Sequence, residues 1–421
     1  MQTAPQAAMG LDARTVAEIS SRNNEPDWLR DLRAAWWREL QETPEPSGQE
    51  EEWRRTSLVE LPRSAPLLTE PPRVRCELPE DLAAAGVIFA DLRDAIRDHG
   101  ELVRRHLGQR RTMPAQAHFW ALAHAAWTGG TFLYVPSGVA VDRPLTAVVE
   151  LPEGGHAHHP LTLLVAERDS SVALLEEVRS PDGAATWFGG VADILAGPGS
   201  RVRYANLQQL GSGAWNVGAQ RVEVGQDAHV TTLNAEVGSF VTKIGLDVRM
   251  TGTGGTSSLL GVLAAGDTQH IDINTLQDLA ASHTTSDLLY LSALYDEARA
   301  AFYGVTRVEQ QAKATSSYQE CRNLLLSPKA GAEPIPVLEI ETNDILRCGH
   351  GATAGAIDPT QRFYVQARGL SEEEAERLIV RGFFEQVLAQ LDSALIRDRV
   401  LAALAPRIGV ADVDFATQVV A

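Results

Sequence analysis

Cysteine is scarce in this chain. There are three in 421 residues, Cys76, Cys321 and Cys348, far apart and odd in number. That excludes a disulfide framework and fits a reducing compartment. No Cys-x-x-Cys pair occurs, so the chain alone lacks the ligand spacing of a permanent zinc or iron–sulfur site. Basic residues are also in deficit, with Lys+Arg 37 against Asp+Glu 55 and a net charge of -18. A surface of that sign repels phosphate backbones, which argues against nucleic acid as a partner. No apolar run approaches the ~20 residues needed to span a bilayer. Met1–Gly10 has neither the basic start nor the apolar stretch of a secretory signal. The expectation is a cytoplasmic protein that meets no membrane. Also missing are the Gly-x-Ser-x-Gly elbow, the His-Glu-x-x-His helix and the Walker loop, so the chain is not expected to hydrolyse ATP itself.

What is present is globular in composition, 44% hydrophobic and 22% charged. The length exceeds one ordinary core, which predicts subdomains or an elongated architecture. Residues 1–128 read as helical. Asp27 to Leu40 repeats apolar residues at three- and four-residue steps, and Pro44, Pro46 and Gly48 end that helix. A Pro-rich extended segment runs from Leu61 to Pro72. Helical periodicity resumes over Glu80–Leu107 and again from Pro114 to Trp127, closed by Gly129-Gly130. The Trp and Phe residues here read as core.

From Thr131 the period changes to that of strands. Short runs recur at Leu145–Leu151, Leu161–Ala166, Val172–Val178, Val202–Leu207, Val217–Val224, His229–Val237, Lys243–Thr251 and Ser257–Leu263, with Gly, Asp or Ser in nearly every gap. Roughly two hundred residues without helix exclude a doubly wound sheet. A sandwich, a propeller or a β-helix remains. The parallel β-helix suits the length best, because each coil stacks on the last and the core grows along one axis. At Ser371 a capping box, Ser371-Glu372-Glu373-Glu374, opens a helix. Its stripe of Ala375, Leu378, Ile379, Phe383, Val387, Leu388 and Leu391 either packs on the same chain or is left for a partner. A second helix through Leu395, Val400 and Leu404 is expected to stop at Pro406.

Several polar groupings read as ordinary structure. Gly252–Thr256 lacks a following helix and reads as a turn. His156, His158 and His159 could ligate metal, but beside Gly154-Gly155 and Pro160 they read as an exposed loop. His270 with Asp272, and His283 nearby, could form an acid–base pair but read as an edge position with ordinary hydrogen bonds. The strongest candidate site is Cys348-Gly349-His350-Gly351, where a thiol and an imidazole two apart share one face of an extended chain. Both are competent iron ligands. Cys321, in Tyr318-Gln319-Glu320-Cys321-Arg322-Asn323, is the second. A small buried hydrophobe is the alternative reading for each cysteine.

At these residues the chain resembles the SufB/SufD scaffold subunits of iron–sulfur cluster assembly. The resemblance covers much of Tyr134–Val387. It is carried by Tyr134-Val135-Pro136-Ser137-Gly138-Val139, Phe302-Tyr303-Gly304, Asn323–Ser327, Pro336–Ile340, Cys348–Gly355, Phe363-Tyr364 and Arg368-Gly369. Within the family it is most like SufD: Gly351 follows His350, where the SufB pattern has Glu. Cys321 falls about where SufB carries a cysteine implicated in cluster building. The resemblance implies a right-handed parallel β-helix core, residues 129–369, between N-terminal (1–128) and C-terminal (370–421) α-helical regions. It implies a non-catalytic scaffold in complex with SufB and the ATPase SufC, and admits a homodimer of the isolated chain. SufC would dock on the C-terminal helices through Leu378, Ile379, Phe383, Val387 and Leu388. His350, Cys348 and Cys321 would lie at the interface with SufB, where transient iron or a nascent iron–sulfur cluster is held, with no intrinsic cofactor and with reduced flavin admitted in the complex. The rival readings are a SufB-like scaffold that holds the cluster itself and a β-helix enzyme acting on polysaccharide.

Overall fold

The computed structural model of the chain describes residues 11–67, 73–107 and 113–408. The N-terminal region contains α1 (Ala13–Arg22), α2 (Asp27–Glu42), β1 (Arg75–Cys76), α3 (Glu80–Ala84), β2 (Ile88–Asp91), α4 (Leu92–Leu107) and α5 (Ala117–Ala126). The expected helix over Glu80–Leu107 is therefore broken. The turn at Gly86, with φ +86, returns the chain as β2 before α4 begins. The outer ends of the two expected helical regions, 1–10 and 409–421, and the last part of the Pro-rich segment lie outside the described residues.

The body is a β-solenoid of about 8 turns. In chain order its strands are β3 (Thr131–Val135), β4 (Leu145–Glu150), β5 (Ala157–His158), β6 (Leu161–Ala166), β7 (Ser171–Arg179), β8 (Trp187–Phe188), β9 (Val191–Ala196), β10 (Arg201–Gln209), β11 (Trp215–Val224) and β12 (His229–Glu236). They continue with β13 (Val241–Met250), β14 (Thr256–Ala265), β15 (His270–Leu279), β16 (Thr285–Leu294), β17 (Arg299–Val308), β18 (Thr315–Leu325), β19 (Gly331–Ile340) and β20 (Ile345–Gly355). Each coil gives one strand to each of two sheets. The first sheet runs β2-β3-β6-β9-β11-β13-β15-β17-β19 and the second β1-β4-β7-β10-β12-β14-β16-β18-β20. Pairing within the coils is parallel and in register. Where the registers hold, a residue and its partners on every coil point to one face; among these ladders β18–β20 slips once, between Thr315 and Ser316, and is in register from Ser316 on.

The corners explain why the sequence coils. Gly138, Asp169, Gly199, Asp227, Gly254, His283 and Ala314 all have positive φ, one per coil, at the passage from the first sheet to the second. Gly and Asp enter this left-handed region at least cost. These are the Gly and Asp marks seen between strands in the sequence.

Three apolar clusters hold the body. One fills the lumen between the sheets, with Leu164, Val222, Leu246, Leu259, Tyr290 and Phe302 among its members. A second lies under the N-terminal helices on the outer face of the first sheet and gathers Trp36, Trp53, Trp120, Trp127 and Trp187. The third lies on the outer face of the second sheet, under α7 (Glu372–Leu388) and α8 (Ala394–Ile408). Sheets covered on both faces need strands apolar on both faces, which is why β6 and β9 are buried almost throughout. A strap, residues 43–66, crosses the first sheet. The Glu52 carbonyl accepts from Lys243 and from Asn274 (2.9 Å), and the Thr56 hydroxyl donates to Asp272 (2.5 Å). Lys243 is itself paired with Asp272 at 2.7 Å.

The two ends of the solenoid differ. At the N-terminal end β1 and β2 cap the sheets by antiparallel pairing with β4 and β3. At the C-terminal end β19 and β20 have no outer neighbour among the described residues, and they are half-buried or exposed. Ile340 is 41% and Leu346 75% exposed. Pro334 and Pro336 lie on β19. Its ladder to β17 is continuous, so the nitrogens that cannot donate face the open edge. Helix resumes at α6 (Pro359–Gln366), ahead of the expected Ser371, and α8 runs through Pro406 to Ile408 instead of stopping there. Pro406 falls in the last turn of α8, near the end of the described residues.

Candidate site at the open end of the solenoid

Cys348 and His350 sit on β20, the last strand. Cys348 pairs in register with Ser317, His350 with Gln319 and Ala352 with Cys321. On β18 the odd-numbered residues are the buried, lumen-facing ones, so Cys348 and His350 continue the lumen column. No further coil stacks over them. Cys348 is half-buried and His350 exposed. Beneath them the lumen is polar and bonded. Ser317 Oγ donates to the Ser286 carbonyl at 2.7 Å, Gln277 Nε2 donates to Ser286 Oγ at 2.9 Å, and Gln319 bonds Thr306 Oγ1 at 2.7 Å. The outward residues on either side of His350, Gly349 and Gly351, are glycines. A Cβ at Gly351 would come within 3.0 Å of the Tyr318 hydroxyl, and Arg347 lies over the Tyr318 ring at 4.3 Å. A larger residue after His350 would have to displace Tyr318.

Burial raises the Cys348 thiol above its ordinary range, so in the isolated chain it is a thiol that a metal would have to deprotonate. Cys321 lies one coil deeper, buried, in register with Tyr290 below and Ala352 above. Burial pushes its thiol up to about 12, with Asn323 Nδ2 at 3.6 Å from Sγ acting the other way. The structure thus gathers all three candidate residues at one end of the lumen, two at its mouth and one sealed beneath. Among the described residues, no three His, Cys, Asp or Glu converge on a metal position.

The helical stripe is largely turned inward. Val387 and Leu388 pack with Val380 and Phe384 on Leu175, Leu207, Leu233 and Leu291 of the second sheet, and Ile379 is buried too. Phe383 packs partly on the same cluster, and Leu378 is 38% exposed. Only the outer edge of the stripe, Leu378 and part of Phe383, is left exposed, because sheet residues already cover the rest. The exposed apolar groups lie beside it on α6: Phe363 is 71% and Tyr364 59% exposed, and Arg362 ties α6 to α7 through Glu372 at 3.0 Å. Sequence reasoning had these aromatics only as matching residues, since an eight-residue helix shows too little period to declare a face.

Two expectations are corrected. His158 and His159 are not in an exposed loop. They are buried against Phe188 and Trp187, and burial lowers them to about 3 and about 4. His270 and Asp272 are not at an edge, since β15 lies between β13 and β17. Thr56 bonds both, so they pin the strap. Gly252–Thr256 is a turn, as expected. No helix among the described residues is long and apolar enough to cross a membrane.

Fold and site together define a parallel β-solenoid with helical flanks and an unpaired terminal coil that carries a thiol and an imidazole. The chain belongs to the SufBD family: residues 149–383 match the family described as SUF system FeS cluster assembly, SufBD core domain. It is 28% identical over 313 residues to the iron-sulfur cluster assembly protein SufB of Bacillus subtilis (strain 168), covering 74% of this chain and 67% of that protein. It is 26% identical over 420 residues to an iron-sulfur cluster assembly SufBD family protein of Staphylococcus aureus (strain MRSA252), covering 91% of this chain and 90% of that one.

Proposed function

We propose that this member of the family acts as a SufD-type scaffold, a non-catalytic subunit that joins SufB through its open end and the ATPase SufC through its C-terminal helices. The observation that carries this reading is the uncapped terminal coil. A solenoid end is normally closed by a polar cap, and here the unclosed lumen presents Cys348 and His350. One thiol and one imidazole are too few ligands for a cluster, so a second subunit has to complete the set. Iron and sulfide are then cargo held transiently between subunits. Gly351 beside Tyr318 favours the SufD type over the Glu-bearing SufB pattern.

The second reading is a SufB-like scaffold that holds the cluster through Cys321 and His350. It is favoured by the position of Cys321 one coil beneath the mouth. Its burial and high thiol pKa weigh against it.

The test is reconstitution with SufB and SufC partners. His350→Ala should leave the circular dichroism spectrum and complex formation intact and lower the yield of cluster. Undiminished yield would remove His350 from the site. Anaerobic iron–sulfide reconstitution of the isolated chain should give no stable brown chromophore. A stable one would favour the second reading.

A further inference from the structure

The opposite half of the lumen holds a polar group that the open end does not use. Glu176 on β7 faces inward and is buried. Thr162 Oγ1 donates to its Oε1 at 2.8 Å, and the Tyr204 hydroxyl donates to its Oε2 at 2.5 Å. No Lys or Arg contributes to its electrostatic setting. Beside it lies a cavity of about 40 Å³ whose wall includes Glu176, Thr162, Tyr204, Asn206, Asn216 and Gln220. Three atoms of that wall, Thr131 Oγ1, Asn216 Oδ1 and Gln220 Oε1, are buried with no hydrogen-bond partner. Asn216 is oriented from behind: its Nδ2 donates to Glu236 at 3.3 Å, which leaves the amide oxygen unengaged. The strands that contribute these groups, β6, β7, β10 and β11, come from successive coils and are linked by in-register ladders.

The donor set decides the guest. The unengaged wall atoms are oxygens, and the hydroxyls that donate to Glu176 keep lone pairs to spare. Thiol and imidazole are absent from the wall, so a soft metal has nothing to bind. A cavity of this size exceeds the ~10–15 Å³ that one small guest requires. Burial raises the Glu176 carboxyl above its ordinary range, so it either keeps a proton or is joined by a cation. A single carboxylate on the wall balances a single positive charge. From this we infer that the lumen binds one dehydrated alkali cation, K⁺ or Na⁺, held by Glu176, Asn216 Oδ1 and Gln220 Oε1 with the hydroxyl oxygens of Thr162 and Tyr204. The bound ion ties neighbouring coils together from inside and does not depend on the scaffold role.

Two measurements on the full chain test this. Crystals in which thallium(I) replaces the alkali ion should show an anomalous peak in the cavity. The Tm at constant ionic strength should climb with the logarithm of KCl or NaCl concentration and stay level in choline chloride, as expected when an ion binds only the folded state. Comparison of the K⁺ and Na⁺ series assigns the ion. Glu176→Gln should abolish the response and Thr162→Ser should keep it. If Glu176→Gln does not fold, Gln220→Leu should weaken the response. Absence of a thallium peak together with equal Tm in all three salts would overturn the site in favour of buried water. A response to Ca²⁺ or Mg²⁺ alone would overturn the monovalent assignment.

Discussion

Cys348 and Cys321 lie in neighbouring coils of one lumen, yet their thiols stand in different surroundings. Cys348 is half-buried at the mouth, and Cys321 is sealed against Tyr290 with its thiol pushed up to about 12. Alkylation needs an accessible thiolate. In the native chain at mildly alkaline pH, iodoacetamide should label Cys348 first, and Cys321 should react only on addition of denaturant. Peptide mapping by mass spectrometry reads this, and equal labelling of the two in the native chain would contradict the placement. The shared face of Cys348 and His350 was legible from their spacing alone. The burial of Cys321 was not, because it alternates with Gln319 and Asn323, which are polar yet also face the lumen. A polar lumen column looks like a solvent-facing one in sequence.

α7 is an element whose caps were readable and whose contacts were not. Ser371 accepts from the Glu374 amide at 3.2 Å while Glu374 accepts from the Ser371 amide at 2.8 Å, the box read from the sequence. Periodicity locates an apolar stripe but not what it meets. Here it meets the second sheet, and α6 carries the exposed aromatics. Leu388→Asp should therefore act on the fold: a carboxylate forced into that layer costs on the order of 3 kcal/mol or more, seen as a lowered denaturation midpoint. Phe363→Asp and Tyr364→Asp should leave the midpoint unchanged and abolish co-purification of SufC. Retained SufC in both variants would move the docking surface elsewhere.

For the molecule as a whole, burial of titratable groups sets opposed pH trends. His158 and His159 are depressed from 6.5 to about 3 and about 4, so below about 6.5 the unfolded chain binds protons the folded chain refuses, and stability falls as pH drops. Glu236 is raised from 4.5 to about 8 and Asp247 from 3.8 to about 7, both by burial. Above the ordinary carboxyl range the unfolded chain releases protons that the folded chain keeps, so these two groups cost stability as pH rises towards about 8. Glu236→Gln should gain Tm relative to the parent as pH is raised from about 5 to about 8. A difference constant with pH would contradict the assignment. The solenoid itself was legible from strand length and punctuation, although β9 and β20 escaped notice as strands. The short caps β1, of two residues, and β2, of four, were not legible, being too short to show a clear period. Nor was the asymmetry of the two ends, since the sequence of a strand does not say whether another coil covers it.

The prolines of β19 give that asymmetry its effect. A bare solenoid tip offers two live hydrogen-bonding rims and invites endless end-to-end growth. With Pro334 and Pro336 removing donors from one rim, β20 is the terminal strand that offers an uninterrupted row among the described residues. The two rims of the tip are thus unequal, which discourages fibres of identical copies.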